Sequence, residues 1–155
     1  MILHLLFALI SICMGLPVSA QQIGHGEAHL GASVMPFDVG RSRHVFAPDA
    51  SGGTQSVISR DGDPAQVTLI RGHLRHEAAA FARGNFADPA AIHGATMPGL
   101  KELQAAADRI AVAFVEVPGG ASIRFVSRDP KLIDALHRWF AAQLHDHGAD
   151  ATSGM

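Results

Sequence analysis

Cysteine is almost absent from this sequence, and its one cysteine, Cys13, lies in the apolar run at the N-terminus. If that run is removed on export, the mature chain has no thiol. A disulfide, a thiolate metal ligand and a cysteine nucleophile are then all excluded, and stability has to come from packing. An excess of one charge is also lacking, since the net charge is −2 with acidic and basic residues intermixed. No basic stripe with interleaved aromatic residues is present, so we do not expect nucleic-acid binding.

The N-terminal run, residues 1–20, carries no charged side chain and ends in the small-residue pattern Val18-Ser19-Ala20. This pattern is typical of a secretory signal peptide that is cleaved after Ala20, although the usual basic start is missing. An uncleaved membrane anchor is the alternative. We therefore expect a periplasmic protein that has no membrane association after cleavage. The remaining chain is long enough for one domain and too short for two.

We predict three regions in the mature chain. Residues 21–41 are rich in glycine and have no hydrophobic period, which favours a flexible N-terminal arm. A single domain should span residues 42–148, because Gly148 is a typical residue for the end of a helix. Residues 149–155 are then a polar tail.

An internal duplication organises the predicted domain. The segment GGTQSVISRDGDPAQVTLIRGHL at 52–74 parallels GGASIRFVSRDPKLIDALHRWF at 119–140. Both contain Gly-Gly, a short strand ending in Ser-Arg-Asp, and a proline that begins a helix. A chance resemblance is the alternative, because turn and capping signals recur in all hairpin-helix units.

The duplication predicts an α+β fold. Period-two patterns and helical arcs place its elements as follows: strands at 42–47, 54–60, 109–117 and 121–127, helices at 64–83 and 130–146, and a short helix that begins at Pro98. Two hairpins with helices gathered on one face form a two-layer sandwich over a four-stranded antiparallel sheet.

Glu77 is a carboxylate on the apolar face of the first long helix. At about 100° per residue it falls among Ile70, Leu74 and Phe81, and His73 lies at the edge of the same arc. A buried ionised carboxylate is costly unless it is paired or coordinated. The helical arcs and the repeat alignment direct further polar side chains toward the same interface between helices and sheet: His44, Gln143 and His147. In that alignment Gln143 takes the place of Glu77.

His93 and Met97 are candidate ligands in the loop between the two units. The loop contains IHGATMPG, in which glycines permit a tight turn and Met97 offers a soft thioether. A helix-entry turn without any ligand is an equal alternative. The remaining histidines of the two long helices, His76, His137 and His145, are expected on lateral or solvated faces.

These patterns favour a periplasmic protein that handles copper or zinc. The candidate ligands are His44, His73, Glu77, His93, Met97 and His147. Gln143 would hydrogen-bond to a ligand without contacting the ion itself. Met97 tilts the choice toward copper. One alternative is a binding module for a small organic or haem-like ligand, and another is an enzyme with a His-Glu pair as general base. Taken singly, each of these polar residues also has an ordinary structural explanation.

Several motifs together resemble a group of small, exported, histidine-bearing bacterial proteins that are sometimes labelled aspartate carbamoyltransferase-like. The resemblance covers about residues 35–148 and is carried by these motifs: His44-Val45-Phe46, Ile70-Arg71-Gly72-His73-Leu74, Ile92-His93-Gly94 with Pro98-Gly99, Leu136-His137, and Gln143 with Asp146-His147. The chain has isolated Ser-Arg pairs where such transferases have a Ser-Thr-Arg-Thr phosphate loop. The resemblance therefore transfers no catalytic residue.

Overall fold

The fold is α+β, and the computed structural model describes residues 34–154. The elements in chain order are β1 (Ser42–Asp49), β2 (Gly52–Ser59), α1 (Pro64–Phe81), α2 (Ala87–His93), α3 (Leu100–Ala105), β3 (Ile110–Val117), β4 (Gly120–Ser127), α4 (Pro130–His147) and β5 (Ala151–Ser153). Three short 3-10 turns precede β1, β3 and β5. Among these helices, none is both long and apolar enough to cross a bilayer.

The long helices begin where the sequence predicts. Pro64 and Pro130 each occupy the first turn, and the preceding aspartates cap the free backbone N–H groups. Asp63 accepts hydrogen bonds from the N–H groups of Ala65 and Gln66, and Asp129 accepts one from Lys131. The same Asp-Pro signal therefore begins both helices of the repeat.

The short helix α3 begins at Leu100 rather than at Pro98. Gly99 separates them in a left-handed conformation with φ of 82°, which a helical residue does not adopt. A Cβ atom at Gly99 would meet the backbone oxygen of Ala135 on α4. The turn is therefore shaped by its close packing against α4.

The sheet has five strands in the order β3-β4-β2-β1-β5. The two hairpins meet where β2 and β4 pair antiparallel, so both repeat units share one sheet. The prediction of four antiparallel strands is wrong at one edge, because β5 pairs parallel to β1 with Ala151 opposite His44. The predicted polar tail thus contributes a strand, and Gly154 donates its N–H to the oxygen of Phe46 at 2.9 Å.

Each long helix reaches the hairpin of the other repeat unit. Helix α1 lies mainly over β3 and β4, and α4 lies over β1 and β2. Arg71 on α1 donates to the carbonyl oxygens of Gly120 and Val117 at 3.1 and 3.3 Å. His137 on α4, predicted to be lateral or outward, contacts the oxygen of Gly52 at 2.9 Å. These contacts hold the two units together across the sheet.

The core lies between the helices and one face of the sheet. Side chains that alternate along the strands enter it, as do the apolar arcs of α1 and α4. Fully buried members of this core include Phe46, Ile70, Ile123, Phe125, Leu136 and Trp139. The opposite face carries Arg43, Thr54 and Val115, which is 47% exposed. Both long helices therefore cover a single face, as predicted.

The predicted flexible arm is wrong for the part that the structure describes, residues 34–41. Met35 and Phe37 are buried in the core, and the backbone of Asp38 exchanges two hydrogen bonds with the side chain of Gln66. Met35, Phe37 and Val39 alternate in this segment, and the glycine-rich composition of the wider range 21–41 obscured that short pattern. The predicted signal peptide and the rest of the predicted arm lie outside the described residues.

Candidate functional site

A narrow cavity lies between α1, α2, α4 and the helix-facing side of the sheet. Its polar lining includes His44, His73, Glu77, Asp88, His93 and His147. The volume available to a water-sized sphere is about 30 Å³. Since a single water requires about 10–15 Å³ on this measure, the cavity holds one or two water-sized guests.

His73, Glu77 and Asp88 form a group that could hold a metal ion. His73 and Glu77 lie one turn apart on α1, and Asp88 lies at the start of α2. Each offers one ligand atom, and these atoms all lie within 4.8 Å of one another. Donor atoms this close together can contact one ion.

Glu77 is buried, with 6% of its surface exposed. Burial raises the pKa of its carboxyl to about 8, and the rise is increased by the charge of Asp88 and by a hydrogen bond that the protonated Glu77 donates to that side chain. At neutral pH Glu77 therefore carries a proton for most of the time. A cation bound between the two carboxyl groups would displace this proton.

Three histidines form a second group on the other side of the cavity. The rings of His44 and His147 stack with centroids 4.4 Å apart, and His93 contacts His147 edge-on at 5.0 Å. Nδ1 of His93 also lies 3.2 Å from Oδ2 of Asp146. These contacts join β1, α2 and the end of α4.

Burial keeps the imidazoles of His44 and His147 neutral. It lowers the pKa of His44 to about 3, and the neighbouring His147, His73 and His93 add to this effect. Burial likewise lowers the pKa of His147 to about 4, with a further contribution from His93. The pKa of His73 is lowered as well, again chiefly by burial. Neutral imidazole is the form that binds metal ions.

The structure brings together all but one of the residues that the sequence singled out. His44, His73, Glu77, His93, Gln143 and His147 line the same cavity. Met97 does not, because it packs into the apolar core and borders a separate depression beside Lys101 and Arg138. The prediction of Met97 as a ligand is therefore wrong, since its thioether fills core space. His76 and His145 are exposed, as predicted.

Sequence reasoning missed two residues of the cavity, Asp88 and Gln55. Asp88 lies in a segment treated as loop, although an acidic residue before a proline is a common helix start. Gln55 follows the period-two pattern of β2 and so shares the inward face with Val57. A polar residue on a predicted buried face was the available signal, as it was for Glu77.

No family model, curated protein or solved structure matches this chain. The chemistry of the cavity is therefore the main guide to function.

Proposed function

We propose that the protein binds a divalent transition metal ion through His73, Glu77 and Asp88, and that it handles this ion in the periplasm. The observation that carries the proposal is the convergence of one imidazole and two carboxylates, all within 4.8 Å, in a narrow cavity. An isolated carboxyl pair of this kind is costly to bury, and a cation offsets that cost. The proposed periplasmic location rests on the signal-like N-terminal run.

Zinc is the first choice for the ion. A nitrogen and two oxygen donors suit Zn²⁺, and also Cu²⁺, whereas Cu⁺ prefers thiolate or thioether ligands. The Met97 thioether was the feature that favoured copper, and Met97 lies away from the cavity. Copper therefore becomes the second choice.

His44 and His147 are better placed as neighbours of the ion than as its ligands. Their rings are nearly parallel, with planes 13° apart. The lone pairs of two stacked imidazoles point in parallel planes and not toward one point. The pair therefore supplies a neutral, weakly solvated wall beside the proposed metal, which strengthens the attraction between the ion and the carboxylates.

The size of the cavity supports an ion rather than a haem-like or other organic ligand. About 30 Å³ for a water-sized sphere leaves room for an ion with a small companion. An enzyme is the second candidate, because Glu77 has its pKa raised to about 8 beside His73. Such a pKa suits a general acid or base near neutral pH. Metal content separates the two candidates, since general acid-base work needs no ion.

Elemental analysis and calorimetry of the untagged protein test the proposal. Titration of the metal-free protein with Zn²⁺ should give one ion per chain. His73→Gln and Asp88→Asn should each weaken binding at least about tenfold, since even residues behind a metal ligand contribute that much. His76→Gln is the matched control, because His76 lies on the same helix and is exposed. Unchanged affinity in both test variants would overturn the proposal.

A further inference from the structure

Among the buried polar atoms that have no hydrogen-bond partner within residues 34–154, three belong to side chains that line the cavity. They are Nδ1 of His44, Oε1 of Gln55 and Nε2 of Gln143. All three side chains line the cavity that contains the proposed metal ligands. Buried polar atoms are nearly always paired, because leaving one unpaired is costly. Three such atoms around one cavity indicate a ligand that pairs with them.

These three side chains belong to β1, β2 and α4, which all border the cavity. His44 pairs with Val57 and Phe46 pairs with Gln55, so His44 and Gln55 are diagonal neighbours on the helix-facing side of the sheet. Gln143 lies one turn before His147 on α4, and the His147 ring stacks on His44. His44 and Gln143 are themselves 2% and 3% exposed, so bulk solvent does not satisfy their polar atoms.

We propose that His44, Gln55 and Gln143 bind one small, uncharged, exchangeable ligand of the size and chemistry of water. The Gln143 amide nitrogen can only donate a hydrogen bond, and the Gln55 oxygen can only accept one. A guest that pairs with both must donate and accept. No cationic side chain contributes to this trio, so an anion has no partner charge here.

This inference deepens the proposed function and rests on it only for the neighbouring ion. Three protein ligands and one exchangeable small ligand are typical of open, catalytic metal sites, whereas structural sites have four protein ligands. The arrangement therefore favours a site at which a small molecule comes and goes beside the ion. A site of this kind exchanges a small molecule in addition to binding the metal.

Nuclear magnetic resonance of the metal-free protein tests the ligand position without any ion. Magnetisation transfer from a long-lived water to the side-chain amides of Gln55 and Gln143 should be observed. Gln104, which is exposed on α3, is the matched control and should show only rapid exchange with bulk water. His44→Phe should abolish the transfer while preserving an aromatic ring. If neither cavity amide receives magnetisation from a long-lived water, the inference is wrong.

Relaxation of bulk water tests the exchange beside the ion. The Cu²⁺-loaded protein should relax water protons faster than the Zn²⁺-loaded protein does, because an exchanging water carries the paramagnetic effect into bulk. Gln143→Leu should reduce this difference. Equal rates in fully loaded protein would show a closed site and overturn the inference. If instead the proposed function is wrong, the protein takes up no ion. Magnetisation transfer from water to the side-chain amides of Gln55 and Gln143 still occurs in the metal-free protein.

Discussion

The imidazole of His44 lies face to face with that of His147, at a centroid distance of 4.4 Å. The first ring belongs to β1 and the second to the last residue of α4. His93 contacts His147 from α2. Three elements distant in sequence thus meet at these histidines, and protonation of His44 and His147 should loosen this junction.

The metal-free protein should lose stability as the pH falls below about 6.5. In the unfolded chain both His44 and His147 have a pKa near 6.5, whereas in the folded protein the values are about 3 and about 4. The unfolded state therefore binds more protons than the folded state across this window. The free energy of unfolding consequently decreases as the pH falls. Thermal melts between pH 7 and 4.5 measure the slope.

Two variants separate this effect from general acid denaturation. His147→Gln should flatten the decline between about pH 6.5 and 4. His145→Gln should leave it unchanged, because the side chain of His145 is 89% exposed. A decline that is equally steep in wild type and His147→Gln would contradict the role given to the stacked pair.

Glu77→Gln should hardly change the stability of the metal-free protein at about pH 4.5 or below, by less than about 1 kcal/mol, because glutamine resembles the protonated acid. At higher pH the two proteins should diverge. The pKa of Glu77 is raised from 4.5 to about 8, so wild type progressively loses the associated stability as the pH rises across that window. The variant lacks this loss. Urea denaturation at pH 6.5 and 8.5 measures it, and equal losses in both proteins would contradict the burial of a protonated Glu77.

Metal affinity should rise with pH until Glu77 has lost its proton. Below about pH 8 each unit should raise the apparent Zn²⁺ affinity by up to about tenfold, because the ion displaces one proton. Calorimetry in buffers of different ionisation enthalpy reports the proton released. Glu77→Gln should bind at least about tenfold more weakly, in line with the loss of a carboxylate at a metal site. Proton release equal to that of wild type in this variant would assign the proton to another group.

Much of the fold and part of the site followed from local patterns. Pro64 and Pro130 marked the helix starts, and the arc of α1 directed Glu77 inward. Both signals depend only on neighbours in sequence, which is why they succeeded. His44 was directed inward by the repeat alignment and lies buried.

The rest depended on tertiary contacts that no short pattern encodes. Asp88 completes the ligand group only because α2 packs beside α1. Strand β5 has three residues and no apolar period of its own, so its pairing depends on the free edge of β1. Met97 and Gly99 show the same limit, since the turn between them packs against α4.

Met97→Leu should leave both Zn²⁺ and Cu²⁺ binding unchanged. Met97 is buried in the core at 6% exposure and borders a depression separate from the cavity. Exchange of one apolar side chain for another of similar volume should cost less than about 1.5 kcal/mol of stability. Competition titrations with both ions provide the measurement. A selective loss of copper affinity would indicate that the Met97 thioether is a copper ligand.

Removal of residues 149–155 should destabilise the protein by about 1–3 kcal/mol, because the truncation uncovers one edge of β1 and breaks several backbone hydrogen bonds. Ala151 is buried opposite His44, and Gly154 donates to Phe46. The amide of Phe46 should also exchange faster with solvent.

Asp150→Asn is the control for this truncation, because it weakens the ion pair between Arg60 and Asp150 and leaves the backbone of β5 in place. Those groups are 3.3 Å apart with 43% and 45% of their side chains exposed. An exposed pair contributes at most about 1 kcal/mol, so the control should lie well below the truncation. If the two variants lose the same stability in urea denaturation, β5 adds nothing beyond its ion pair. A larger loss in the truncated chain, with faster exchange confined to β1, would show that the C-terminal strand holds the wall of the cavity in place.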